Sequence, residues 1–420
     1  MSHSKYLIVG SSHAGLSALE AIRTHDTEGS ITLITQEVLL PYSPTILPYV
    51  LSGQVDKGQV FLMDKAALDR YGVAFMQGKK LVGVDPASRS VSLESGESLE
   101  YENLLLVTGA EPSLPPIPGL KEAPFHVLRT MEDVLRLRKA VQNAESAIVM
   151  GAGLIGMHAA ENLFKEGLQV IVVEALPQVL PGYFDDQAAG LIRKAFTEQG
   201  LNIFTESMVT HVSSSNGDCD VTLESGKKLS ADLIMVATGV KPRMAYLDKS
   251  GIEVDNGILV DDTMKTSMSH IWAAGDVAQA RSFFDSEKNV HANLPTAIEQ
   301  GRIAGLDMSG DPALRPYPGG IPMNTYKFFD HRSFSIGLAN ISQSEKDIEV
   351  DQLFHPTSMQ YQRLIYTNDC LVGVSSINTM LDPGIMYQLI QRRVDLGEVK
   401  KAFAASPLET GRILMSKIWG

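Results

Sequence analysis

Apolar residues along this chain fall into two alternating rhythms. Short continuous runs such as "YLIV", "LLLV", "AIVM", "VIVV" and "LIMV" are separated by stretches in which apolar residues recur at helical spacing, as in "LSALEAI" and "MHAAENLF". A continuous short run marks a strand buried on both faces, the habit of parallel sheets. Strands of that kind alternating with amphipathic helices predict an α/β chain built of βαβ units.

The joints between strand and helix carry glycine. In "YLIVGSSHAGLSALEAI" the apolar run ends at Gly10, Gly15 follows, and the helical pattern opens. The second motif glycine is replaced by Ser12. A fuller copy begins at Ala147, "AIVMGAGLIGMHAAENLFKEGLQVIVVE", with Gly151, Gly153 and Gly156, a predicted helix C-cap at Gly167 and a strand closed by Glu174. Glu174 stands near the ~20-residue distance at which an acid meets a nucleotide ribose. Each copy is followed by a strand ending in Thr-Gly, Thr108–Gly109 in "LLLVTGAEP" and Thr238–Gly239 in "LIMVATGVKP". The chain therefore holds two tandem dinucleotide-binding folds, and the repeat assigns "GSSHAG" the role of "GAGLIG".

In such a fold the first glycine permits the turn, the second lets backbone approach a pyrophosphate, and the third lets helix meet strand. The helix N-terminus, here Ala14 in one copy and Leu154 and Ile155 in the other, then offers N–H groups to phosphate. Ser12 keeps its site small, and its hydroxyl is a candidate phosphate donor.

Size and charge narrow the class. At 420 residues the chain is long enough for roughly three domains. Its 44% apolar and 20% charged residues describe a globular protein. A net charge of −13 argues against nucleic acid as partner. No apolar stretch reaches the ~20 residues of a membrane span. The N-terminus runs directly into "KYLIVG" with no basic-then-apolar leader, so a cytoplasmic location is expected. The two cysteines, Cys219 and Cys370, are too few for an iron–sulfur cluster or zinc site held by this chain's own thiolates. Two free buried thiols are expected, with a disulfide between them left open, and no metal site is expected.

With "TMKTSMSHIWAAGDVAQA" and "NLPTAIEQGRIAG" added, the whole chain resembles the flavoprotein reductases of the pyridine nucleotide–disulfide oxidoreductase superfamily. The resemblance implies two Rossmann-like domains of three-layer ββα type and a C-terminal α+β interface domain. FAD would be held by residues 1–115 and 243–312, NAD by 116–242, and 313–420 would close the chain. Pro-rich seams at "PSLPPIPG" and "RPYPGGIP" mark the joints. The last domain is expected to run as strands "SFSIGLA", "YQRLIYTN" and "CLVGVSSI", then helices "GIMYQLIQRR" and "VKKAFAA".

The resemblance implies FAD contacts at Gly10, Ser12, His13, Ala14, Gly15, Tyr42, Pro44, Leu81, Thr108, Gly109, Gly275 and Asp276. Pro295 and Thr296 would sit at a helix N-terminus facing the flavin N1–C2=O edge. In the first copy Gln36 aligns with the ribose acid and Glu37 follows it; either can bond the ribose. NAD contacts are expected at Gly151, Gly153, Leu154, Ile155, Gly156, Glu174, Thr238 and Gly239. A carboxylate at Glu174 favours NAD over NADP, since "ALPQVLP" brings no arginine for a 2′-phosphate.

Related disulfide reductases, peroxidases and oxidases carry cysteine after the first βαβ unit. Here "LLPYSPTILPYVLSG" carries none, so no thiol relay is expected. That segment resembles the "PPYxR" stretch of NADH:rubredoxin and ferredoxin reductases, with Pro44 in place of arginine. With "GAGLIGMHAAENL" it also resembles the FAD subunits of 2-oxoacid (phenylglyoxylate-type) and aldehyde oxidoreductase complexes.

Hydride exchange between NAD(H) and FAD is therefore expected, with electrons passing to or from an iron–sulfur partner in a hetero-oligomeric complex. A free-standing reductase and a low-turnover redox-sensing flavoprotein are the alternatives. His158 replaces a glutamate that relatives place near the nicotinamide. It either positions the nicotinamide or gates protons, or is a satisfied structural histidine.

Overall fold

The structure, a computed structural model, describes residues 2–215, 218–339 and 348–419. The chain separates into two compact units. One comprises Met1–Ile46, Val55–Glu111 and Val240–Ile321; the other comprises Leu47–Gln54, Pro112–Gly239 and Pro322–Gly420.

In the first unit, parallel strands run in the order Val73–Met76, Ile31–Ile34, Ser2–Val9, Ser98–Leu106 and Ile271–Ala273. The early apolar runs form its centre, where Leu7, Ile8, Leu33, Leu104 and Leu105 are fully buried. A hairpin of Leu81–Asp85 and Ser90–Leu93 pairs with the start of Ser98–Leu106. Helix His13–His25 follows the first strand, and helix Leu294–Ser309 lies directly against it. Two glycines allow that closeness. A Cβ on Gly301 would stand 2.2 Å from the Ala14 carbonyl oxygen, and one on Gly305 2.5 Å from that of Ala18.

In the second unit the parallel order is Asn202–Phe204, Gln169–Val173, Ser146–Met150, Leu233–Val236 and Phe125–His126. Ile148, Met150, Val173, Ile234 and Val236 share a buried cluster with Val212, Val221, Leu223 and Leu229 of an antiparallel meander, residues 209–231. Strand alternation turns Ala147, Val149, Val170 and Val172 to the opposite face, and helix Leu154–Lys165 packs against these strands. That is the expected meander–sheet–helix layering.

The same unit carries a five-stranded antiparallel sheet in the order Met323–Phe328, His331–Gly337, Cys370–Ile377, Gln360–Thr367, Ile348–His355. Helices Pro383–Gln391, Lys400–Ala405 and Pro407–Trp419 follow it. The expected strands and helices of this region all form. "SFSIGLA" begins two residues early, at His331, and stops at Gly337.

The short helix Leu47–Leu51, from the proline-rich stretch after the first βαβ unit, also belongs to the second unit. It packs against helices Met131–Val141 and Leu154–Lys165. Both cysteines are free, Cys219 buried and Cys370 half-buried, so the disulfide left open does not form. Among the described residues no helix is long and apolar enough to cross a membrane, and no cluster of ligating side chains is placed to hold a metal.

Candidate functional site

The two glycine turns are built alike. Gly10 donates its N–H to Ile34 O at 2.9 Å, and Gly151 to Val173 O at 2.8 Å. Both occupy left-handed backbone, with φ of +124° and +104°. A Cβ would fall 2.1 Å from Val107 O in one turn and 2.4 Å from Ala237 O in the other. The third glycines face the first: a Cβ on Gly15 would meet Gly10 O at 2.1 Å, and one on Gly156 Gly151 O at 2.0 Å.

The middle position explains the departure at Ser12. Ser12 and Gly153 share one extended conformation, with φ of −90° and −72°. A Cβ on Gly153 would meet nothing within 4 Å. A serine therefore fits without strain, and open space lies where a pyrophosphate would approach.

Both helices begin without a side-chain cap. The helices starting at Met131, Asp186, Leu294 and Pro383 are each capped by a Thr, Asp or Asn side chain. The two glycine-turn helices thus keep N–H groups free for an anion. The Ser12 hydroxyl, the usual capping group, makes no bond to its own helix. The cradles fit the phosphates of two dinucleotides.

Around the first cradle the structure gathers three distant motifs. Gly275, in the turn Gly275–Val277, would bring a Cβ 3.3 Å from Ala14 Cβ, and its N–H donates to the buried Gln300 Oε1 at 2.8 Å. His13 Nε2 is 2.8 Å from Ser43 Oγ. Burial pulls the His13 imidazole down in pKa, and the nearby charge of Asp276 opposes that fall. Thr108 Oγ1 pairs with the Tyr246 hydroxyl at 2.8 Å, beside the Gly109 turn. Pro44 opens the turn Pro44–Ile46.

Three first-unit expectations change. In hydrogen-bond register Thr35, rather than Gln36, stands where Glu174 stands in the second unit: Thr35 N–H bonds Met76 O as Glu174 N–H bonds Phe204 O. Gln36 is exposed, and Glu37 accepts from the Tyr42 hydroxyl at 2.6 Å. Leu81 is a core side chain, 8% exposed, so only its backbone is left to meet a ligand. Pro295 sits in the first turn of its helix, but the Thr296 N–H already donates to Asn293 Oδ1 at 3.1 Å. Gln300 and Asn293 are the residues that motif reading missed. An Asn two residues before a Pro is an N-cap signal that was available.

Around the second cradle, buried Glu174 accepts the Ala152 N–H at 2.7 Å and the Leu176 N–H at 2.9 Å, one on each oxygen. The carboxylate thereby fixes the glycine turn and keeps lone pairs for ribose hydroxyls. Thr238 Oγ1 donates to Ser113 O at 2.8 Å, and Ser113 N–H returns to Gly239 O at 2.9 Å. His158, one turn into the helix, lies between Tyr326, edge-on at 4.7 Å, and Tyr49 at 6.0 Å between ring centroids. Its Nε2 is buried and unpartnered.

The chain resembles known proteins over nearly its whole length. It is 46% identical over 418 residues to the NADH-dependent phenylglyoxylate dehydrogenase subunit epsilon of Aromatoleum evansii, covering 99% of this chain and 98% of that one. It is 30% identical over 314 residues to the rubredoxin-NAD(+) reductase of Pseudomonas putida, covering 74% and 82%. Among solved structures, the NAD-dependent persulfide reductase from A. fulgidus superposes with a TM-score of 0.83 at 25% identity, over 94% of this chain and 78% of that one. The family described as pyridine nucleotide-disulphide oxidoreductase matches residues 4–301. The chain belongs to that family and is an FAD-containing, NAD(H)-dependent oxidoreductase.

Proposed function

We propose that this chain exchanges a hydride between NAD(H) and FAD and passes single electrons to or from an iron–sulfur partner. We infer that it does so as the NAD-coupled flavin subunit of a 2-oxoacid oxidoreductase of phenylglyoxylate type. The observation that carries this reading is the 46% identity, end to end, with a subunit of such an enzyme. The thiols support it. Cys219 lies fully buried in the meander and Cys370 half-buried in the C-terminal sheet, and burial pushes both thiols up in pKa, away from the reactive thiolate. Neither belongs to the unit that carries the first cradle.

Bound FAD supplies the conversion between a two-electron hydride and single electrons. The protein's share is binding and orientation. In this reading the Ser12–Gly15 turn and the Gly275–Asp276 turn hold the FAD, with Asp276 accepting from its ribityl hydroxyls. The Gly151–Gly156 turn and Glu174 hold the NAD. The 30% identity with a rubredoxin reductase favours a second reading, a free-standing reductase of a small iron–sulfur protein.

Two results are expected. Asp276→Ala should weaken FAD roughly 10- to 100-fold, the loss of a charge-assisted hydrogen bond. Equilibrium flavin titration measures it, and an unchanged affinity removes Asp276 from the site. The isolated chain should reduce a one-electron dye with NADH, and a Cys219→Ser, Cys370→Ser double variant should do so at the same rate. If the double variant holds FAD but no longer reduces dye, a thiol lies on the route. The 2-oxoacid reading is tested by adding iron–sulfur dehydrogenase subunits, which should make phenylglyoxylate oxidation yield NADH. Turnover with rubredoxin alone would favour the second reading.

A further inference from the structure

The stretch 176–185 passes beside the second glycine turn and holds a strained residue. Leu180, fully buried, sits in left-handed backbone at φ +50°. Few non-glycine residues take that form, and a residue before a proline, here Pro181, is driven toward extended backbone. Such strain persists only where the surroundings impose it, and it clusters at ligand clamps.

Two bonds fix the strained residue, one on each side. Leu180 donates its N–H to the Ala152 carbonyl at 2.8 Å, and its own carbonyl accepts the Tyr183 N–H at 3.1 Å across Pro181 and Gly182. The left-handed form satisfies both at once. The first bond matters for the cradle. Glu174 already holds the Ala152 N–H at 2.7 Å, so the middle of the Gly151–Gly153 turn is gripped at both its N–H and its carbonyl. If Leu180 relaxed, the carbonyl grip would be lost.

The opposing anchor lies in the C-terminal sheet. Gln178 Nε2 donates to Phe184 O at 2.8 Å and closes the stretch on itself. Asp185 comes next. Its Oδ1 accepts the Ala188 N–H at 3.0 Å and caps the helix Asp186–Glu198. Its Oδ2 accepts the Tyr361 hydroxyl and Arg363 Nη1, the latter at 3.0 Å. Tyr361 and Arg363 alternate with Gln362 along the strand Gln360–Thr367, so they share one face. Tyr361 is fully buried, and the side chains of Asp185 and Arg363 are largely buried. A carboxylate and guanidinium so placed are costly to separate. Gln352 Nε2, from the next strand, adds a bond to Gln187 Oε1 at 2.6 Å.

We propose that Tyr361 and Arg363 are positioning residues for the nucleotide. By holding Asp185 they keep the 176–185 stretch taut, Leu180 left-handed and the second glycine turn in its phosphate-binding form. The inference rests on the reading of that turn as the NAD site. It gives the C-terminal sheet a part in nucleotide binding that runs wholly through backbone, with no contact to the ligand.

Hydrogen exchange and calorimetry on the FAD-loaded full chain test it. Tyr361→Phe removes one hydroxyl and keeps the buried ring. It should speed exchange of the 176–185 amides and weaken ADP-ribose, which is NAD without its nicotinamide, by about tenfold, the strain of one left-handed residue. Asp185→Asn keeps an acceptor for the helix cap but loses the ion pair, and it should act alike. Removing the strain should remove the dependence. Leu180→Gly takes left-handed backbone freely. Adding Tyr361→Phe to Leu180→Gly should therefore leave ADP-ribose affinity unchanged, whereas adding it to Leu180→Ala should still cost about tenfold. A structural role alone would lower the unfolding temperature in both backgrounds without that split.

The inference is overturned if Tyr361→Phe binds ADP-ribose as the wild type does, or if it weakens binding equally in the Gly and Ala backgrounds. Should the Leu180 variants fail to fold, Tyr361→Phe and Asp185→Asn decide by amide exchange and affinity together. A wild type that binds no ADP-ribose sinks the NAD-site reading itself, which is a separate outcome from binding that Tyr361→Phe leaves untouched.

Discussion

One added methyl group at Gly151 should leave the protein yellow with FAD yet unable to be reduced by NADH. The Gly151→Ala side chain would sit 2.4 Å from the Ala237 carbonyl oxygen, on backbone at φ +104°. Left-handed strain in a non-glycine residue costs about 1–3 kcal/mol, and overpacking a filled site costs about as much again. Together these reach roughly 2–6 kcal/mol, enough to force the turn out of its native geometry. The turn must open, and with it the spacing between Gly151 and Gly156 that presents the helix N-terminus.

The same change at Gly10 meets Val107 O at 2.1 Å and should instead yield protein without flavin. The pair separates the two cradles by colour alone. Flavin absorbance and stopped-flow reduction of each purified variant check it. A Gly151→Ala protein reduced by NADH at the wild-type rate would show that the second turn binds no nucleotide.

NADPH should reduce the flavin at least about 100-fold less efficiently than NADH. The cause is more specific than a carboxylate at the end of a strand. Glu174 is buried, and both its oxygens are tied to backbone N–H groups, so the negative charge cannot swing away from a 2′-phosphate. The same bonds predict the behaviour of Glu174→Ala. Removing the charge lowers the barrier to NADPH, but it also releases the Ala152 N–H and loosens the glycine turn. NADH should therefore lose affinity, and the preference should fall below about tenfold by convergence from both sides. Equal efficiencies for the two nucleotides in the wild type would sink this assignment.

Much of this was legible in the chain because glycine spacing and buried strands are local signals. Gly15 and Gly156 are required by a backbone contact within one βαβ unit, Gly10 and Gly151 by the strand end at Val107 or Ala237 that returns beside them, and the repeat exposes the whole pattern twice. The edge strands Met323–Phe328 and Ile348–His355 were not legible. Their sequences, "MNTYKF" and "IEVDQLFH", mix polar and apolar positions because an edge strand is only partly covered. The register of Thr35 was missed because counting from a motif cannot see which carbonyl each strand end bonds. The surroundings of His158 lay beyond any pattern. Tyr49 and Tyr326 are remote from it in sequence, and only the folded second unit brings them to one ring.

The first unit is assembled from pieces that the ribosome delivers far apart in time. Its innermost strands are complete by Leu106. The parallel strand Ile271–Ala273 and the helix whose Gly301 and Gly305 rest on Ala14 and Ala18 come roughly 200 residues later. At about 5–20 residues per second, that is a wait of roughly 10–40 seconds. Until then the helix behind the first glycine turn has an uncovered apolar face, and Gly275 and Asp276, which the proposed reading sets against the flavin, have not been made. On that reading, cofactor capture is a late step in this protein's synthesis, after the segment 116–242 has already emerged.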